Sequence, residues 1–163
     1  PTVLLAALSP LMLRVAGACT DGTITWMADP RALREHVVPR ITEAAAAAGR
    51  TGPRVLGGLP ICVCDDTEAG RRRAEHVYRA YAYIPSYAAM LERGDAPTPG
   101  AACLVGTEAE VASELGRLEA AGMTELCAMV FPDVDGPGAH GSIERTKAFL
   151  ADRARLTSAT TAP

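Results

Sequence analysis

Residues 3 to 22 read VLLAALSPLMLRVAGACTDG, and the reading of this stretch decides the fold. An apolar run of strand length, about Val3 to Leu8, stops at Ser9 and Pro10. From Pro10 to about Cys19 the segment is amphipathic, with Ser9 placed as N-cap and proline at the first helical position. The chain therefore turns from strand to helix at one point. Backbone amides in such a turn have no intrahelical acceptor and face outward, which makes an anion site that needs no charged side chain.

Downstream the same device returns. Thr23 to Ala28 (TITWMA) reads as a second strand, and Asp29 with Pro30 opens a second helix that runs to about Ala48. Leu33, Val37, Ile41 and Ala45 recur every four residues on one face of it, which leaves His36 as an expected surface residue. Pro39 lacks a backbone donor and is expected to kink or split this helix. Arg54 to Cys64 forms a third strand, with a bulge or bend expected at Gly57, Gly58 and Pro60.

Asp65, Asp66 and Thr67 are capping candidates for a long helical stretch to about Arg93, broken before Pro85. Gly94 to Ala101 reads as an exposed, flexible linker. Thr107 to Glu110 is a capping box, followed by the stripe Val111, Leu115 and Leu118. Glu125 to Phe131 is the fourth strand, residues 132 to 141 a glycine-rich loop, and Ser142 to about Leu156 the last helix. One domain over residues 1–156 and a disordered tail over 157–163 follow. Four short apolar strands separated by helices imply a parallel sheet covered by helices, an α/β fold. Periodicity alone is equally compatible with a doubly wound sheet and a (β/α) barrel.

With 163 residues the chain is sized for a single core, and its net charge of −3 argues against nucleic-acid and anionic-membrane surfaces. No apolar run approaches the roughly 20 residues of a membrane span, and no secretory leader is legible. The five cysteines, Cys19, Cys62, Cys64, Cys103 and Cys127, sit mostly in apolar runs and read as buried thiols, so a cytoplasmic location is expected. Cys62 and Cys64 lack nearby ligands, so no metal is expected. A small-molecule ligand is the natural partner. His140 in the glycine-rich loop and Arg71, Arg72 and Arg73 read as solvated.

The run AALSPLMLRVAGACTDGTITW, Ala6 to Trp26, resembles the luciferase-like monooxygenase family, in particular its actinobacterial coenzyme F420-dependent oxidoreductases. Ala6, Ala7, Ser9, Pro10, Ala16, Gly17, Asp21 and Gly22 fill a family pattern in which Ser9 replaces a common glycine and Thr20 a common alanine. Leu104 to Leu126 (LVGTEAEVASELGRLEAAGMTEL) is similar to a second family signature, and Glu144, Arg145 and Thr146 to a third. The resemblance implies the second half of a TIM barrel, about four parallel strands with covering helices, because a complete barrel takes eight strands. It implies an oxidoreductase that moves a hydride between F420, or alternatively flavin mononucleotide (FMN), and an organic substrate.

On that resemblance Ala6, Ala7, Leu8, Ser9 and Pro10 hold the cofactor phosphate, and Thr25 and Trp26 face the barrel mouth. No catalytic residue is assigned, because the groups facing the reactive ring come largely from the other half. A half-barrel exposes two strand edges and an apolar face, which implies a homodimer or a partner chain that completes it. The alternative is a non-catalytic half-barrel that binds a phosphate-bearing ligand or a partner through its open edges.

Overall fold

The structure is a computed structural model, and it describes residues 1–160, with the side chains of 156–160 left aside. Five parallel strands form one sheet: β1 (Leu4–Ala6), β2 (Gly22–Trp26), β3 (Arg54–Val63), β4 (Leu104–Gly106) and β5 (Glu125–Val130). β3 is central. Its Arg54–Gly58 segment pairs with β2, and its Leu56–Ile61 segment pairs with β5. β4 pairs with Ile61–Val63, past the point where β2 ends.

Backbone groups of alternate residues in a strand point to opposite edges. The Arg54 amide bonds Asp21 of the β2 side and the Cys64 amide bonds Gly106 of β4, so β4 prolongs the β2 edge. Pro60 has the same parity and falls in the gap between them, where its missing donor costs no ladder bond. β1 and β5 each have one unpaired edge among the described residues.

Among the described residues seven α-helices accompany the sheet: α1 (Pro10–Cys19), α2 (Pro30–Ala32), α3 (Val38–Ala47), α4 (Thr67–Tyr78), α5 (Pro85–Leu91), α6 (Glu108–Ala120) and α7 (Ala139–Thr160). One sheet face is dry. Val55, Leu59, Ile61 and Val63 of β3 pack there with Leu13 and Ala16 of α1, Ile41 of α3, and Val111, Leu115 and Leu118 of α6. α1 lies so close to α3 that a Cβ on Gly17 would run into the Ile41 carbonyl. Gly22 is held likewise, because a Cβ there would strike the carbonyl of Arg54.

The opposite face is different at its two ends. Toward the strand C-termini, Cys62 of β3 and Cys64 just after it pack with Tyr78 of α4, Cys103 and Phe131 in a second core. Lower down, Leu4, Ala6, Ile24, Leu56, Cys127 and Met129 share that face by register. Ala6, Cys127 and Met129 are exposed and the other three half-buried. This part of the face is left open.

Several expectations are revised. β4 is a fifth strand, too short to read as one. Gly57 and Gly58 mark no bulge, since β3 is continuous over ten residues; the Met123 side chain takes the space of a Cβ on Gly57, and a Cβ on Gly58 would strike the Thr25 carbonyl and crowd the Trp26 ring. Pro39 does not split its helix. A π-helical turn over Leu33–Val37 joins α2 to α3, and the Arg40 guanidinium donates to the Glu35 and His36 carbonyls at 3.3 and 2.9 Å, supplying donors next to the one proline lacks. The 94–101 segment is anchored, with Pro99 and Gly100 buried. Cys19 and Cys127 are exposed, while Cys62, Cys64 and Cys103 are buried. The last helix extends to Thr160, and residues 161–163 of the expected tail lie outside the described residues.

Candidate functional site

The site is assembled at the C-terminal ends of β1 and β2. β1 stops because the Ala7 amide makes the last rung, to the Ile24 carbonyl at 3.3 Å. Ser9 then takes extended torsions (φ −79°, ψ 154°) and caps α1, its hydroxyl accepting from the Met12 amide at 3.3 Å. These torsions suit any residue, so serine is no obstacle to the turn. The Ser9 carbonyl accepts from Leu13 at 2.9 Å. Pro10 brings no donor, and the Ser9 and Leu11 amides have no protein partner among the described residues. Ser9, Pro10 and Leu11 are all exposed.

What remains is a neutral, open turn with donors to spare at a positive helix end. Ala6 and Ala7 flank it with side chains too small to block an approach. Leu8 contributes its backbone: its carbonyl accepts from Nε2 of His36 at 2.8 Å. A carbonyl only accepts, so Nε2 carries the proton. His36 is therefore buried, at 4% exposure, and not the surface residue expected from the sequence. It lies three residues after Leu33 and one before Val37, on the buried stripe itself, and that spacing was the available signal.

Burial pushes the His36 pKa below the ordinary imidazole value, and the nearby charges of Arg40 and Arg93 push the same way against the bond to Leu8. The ring is thus neutral at neutral pH.

Trp26 and Thr25 part company. Trp26 ends β2 with its ring across Gly58, where a Cβ would come within 3.0 Å of Cε3. The ring meets Tyr81 at 5.8 Å between centroids and 45°, and Tyr81 meets Tyr87 edge-on at 5.0 Å. The indole Nε1 is buried and has no hydrogen-bond acceptor among the described residues, a costly state for such a donor. Thr25 is buried on the helix-covered side, where its hydroxyl donates to the Leu56 carbonyl at 3.1 Å. Its side chain is turned from the open face. Next to Trp26, Met27 adopts left-handed torsion (φ +53°), the one non-glycine residue to do so among the described residues. Such strain costs about 1 kcal/mol and gathers at functional sites.

The remaining polar candidates are committed elsewhere. Arg72 pairs with Glu68 on α4, and Arg73 pairs with Asp135. His76 and His140 are exposed. Burial pushes the Cys62 thiol up to about 12 and raises Cys64 as well, so neither is a ready thiolate. Among the described residues no group of three His, Cys, Asp or Glu side chains is placed to hold a metal. Among the described residues no helix is long and apolar enough to cross a membrane.

The fold and site define a class first: a parallel α/β half-barrel whose first strand–helix turn is exposed and leaves the Ser9 and Leu11 amides without a protein partner among the described residues. The luciferase-like monooxygenase family model matches residues 1–125, and the chain belongs to that family. Among solved structures it is similar to an F420-dependent secondary alcohol dehydrogenase in complex with an F420–acetone adduct. There the identity is 18% and the TM-score 0.69, over 88% of this chain and 46% of that one.

It is likewise similar to the coenzyme F420-dependent tetrahydromethanopterin reductase of Methanopyrus kandleri, at 19% identity and TM-score 0.58 over 86% and 47% of the two chains. A third is the oxygenating constituent of 3,6-diketocamphane monooxygenase from Pseudomonas putida in complex with FMN. It shares 20% identity and a TM-score of 0.61, over 88% and 46%. The chain spans a little under half the length of each of these proteins. Among curated proteins nothing matches it.

Proposed function

We propose that this chain is the cofactor-phosphate half of an F420-dependent, luciferase-like oxidoreductase of the actinobacterial type, with FMN as the alternative cofactor. The observation that carries the proposal is the β1–α1 turn, where unpartnered Ser9 and Leu11 amides meet a helix N-terminus with no carboxylate in the cradle. Ala6, Ala7, Leu8, Ser9 and Pro10 line the phosphate, and Trp26 flanks the bound ring system. Thr25 acts only through the strand it braces. Bound deazaflavin would supply hydride transfer to or from a small organic substrate. The chain's own part is to bind and orient, and no catalytic residue is assigned to it.

The open face favours a second element of the same reading. Leu4, Ala6, Ile24, Leu56, Cys127 and Met129 form an apolar strip between two unpaired edges, and such surfaces associate. A second copy or a partner chain of like fold covers it and supplies the groups that face the ring. A non-catalytic half-barrel that binds a phosphate-bearing ligand or a partner uses the same two features.

Titration of the protein with F420, FMN and riboflavin tests the reading. Binding of either phosphate-bearing cofactor, with FMN preferred to riboflavin, is expected. Failure of both to bind would sink the enzyme reading for this chain. Sedimentation at micromolar concentration tests the second element, and a dilute, stable monomer would contradict it.

A further inference from the structure

The Leu8 carbonyl and the Ser9 amide belong to one peptide unit. No peptide bond among the described residues is cis, and in a planar trans unit the C=O and N–H point to opposite sides. Whatever fixes the direction of the Leu8 oxygen therefore fixes the direction of the Ser9 hydrogen. His36 fixes it. Its Nε2–H reaches 28 residues back along the chain to hold the Leu8 oxygen at 2.8 Å, so the Ser9 N–H points away from the His36 ring, at a residue that is itself exposed.

The element that presents His36 is also unusual. The imidazole sits in the π turn Leu33–Val37, closed by the Val38 amide on the Leu33 carbonyl. π turns are rare and occur often at functional sites. Arg40 braces the turn from below through the Glu35 and His36 carbonyls. An apolar side chain would fill the same volume without the desolvation cost of an imidazole, but it would leave the Leu8 oxygen without a donor and its peptide free to rotate.

We propose that His36 is the positioning residue of the cradle: it holds the Leu8–Ser9 peptide so that the Ser9 amide points at a bound phosphate. The inference rests on the cofactor-phosphate reading above and deepens it. His36 touches no ligand and acts through the backbone.

Three variants and two probes separate the outcomes. The glutamine of His36→Gln places an amide donor close to the Nε2 position, the asparagine of His36→Asn is one carbon shorter and falls short of Leu8, and His36→Leu removes the donor. Each is measured against FMN and riboflavin, which differ only in the phosphate. The wild type and H36Q are expected to keep the preference for FMN, while H36N and H36L lose about tenfold of it, the size expected for one bond to a charged group. Riboflavin affinity stays level throughout, which a merely structural role for His36 would not produce.

If H36L fails to fold, the Gln–Asn pair decides. Equal FMN preference in the wild type, H36Q and H36N overturns the inference and leaves the cradle standing. A wild type that does not prefer FMN to riboflavin overturns the cradle, and this inference with it.

Discussion

Two turns in this protein are built from the same local sequence device and end in opposite states. Ser9–Pro10 and Asp29–Pro30 each follow a strand, each place an extended residue as N-cap (ψ 154° and 174°), and each put proline at the first helical position. At Asp29 the helix end brings its own anion. The carboxylate accepts from the Ala32 amide at 2.8 Å and from the Asp95 and Ala96 amides, the latter at 3.0 Å. Arg31 then ties Asp95 down from outside at 3.1 Å.

There the cap's carboxylate is engaged and the 94–96 segment lies over it, although the Arg31 amide, like that of Leu11, has no protein partner among the described residues. At Ser9 the cap is neutral, one amide is satisfied, and the surface is open. The difference teaches that an N-cap with proline is only scaffolding; whether it becomes a ligand site depends on the charge of the cap and on what the rest of the chain lays over it.

The comparison can be broken at either end. Asp29→Ala carries the largest expected effect, because it removes a cap and strands two loop amides. The loss should be about 2–3 kcal/mol in urea denaturation, with new protease sensitivity around Asp95. Next is Ser9→Asp, which gives the open turn the anion its counterpart already has. Asp and Ser are equivalent N-caps, so stability should hold, while the affinity for FMN falls about tenfold or more through repulsion of the phosphate. An unchanged FMN affinity in a folded Ser9→Asp protein would place the phosphate elsewhere. Ser9→Ala is smaller, about 1 kcal/mol of stability from the lost cap, read as a shift of the urea midpoint.

Both devices were legible because their bonds close within three residues. Ser9 to Met12, Asp29 to Ala32 and the Thr107–Glu110 box are all local, and residue type alone announces them. Partners far along the chain were not legible. Nothing near Asp29 says that residues 95 and 96 will cover it, so the 94–101 segment read as a free linker. Gly57 and Gly58 carry no mark that separates a bulge from a place where the Met123 side chain and the Thr25 carbonyl need room. β4 is three residues long and owes its existence to the free edge of β3 beyond Gly58. Thr25 and Trp26 are adjacent in a strand and so point to opposite faces, which alternation alone predicts once the covered face is known. His36 was missed for a different reason: its spacing fitted the buried stripe, but a titratable ring is expected inside only when an acceptor waits for it, and Leu8 is 28 residues away.

That buried ring also gives the two turns different responses to acid. The folded-state pKa of His36 is lowered, first by burial and then by Arg40 and Arg93, whereas in the unfolded chain it returns to about 6.5. Between those values the unfolded state binds more protons. The contribution of His36 to stability is therefore complete above about pH 6.5 and is lost as the pH falls from there through the lowered folded value. Protonation does not remove the Nε2–H donor, so the bond to Leu8 is not broken directly. What acid disfavours is a buried cation beside two arginines, so the fold that holds the ring against the Ser9 turn is weakened.

Urea midpoints at pH 7.5 and 5.5 should fall further in the wild type than in H36Q, whose amide does not titrate, and the Asp29 turn should be untouched in protease sensitivity over the same range. Equal losses in the two proteins would show that His36 is not the titrating group and that the Ser9 turn has no acid-sensitive support.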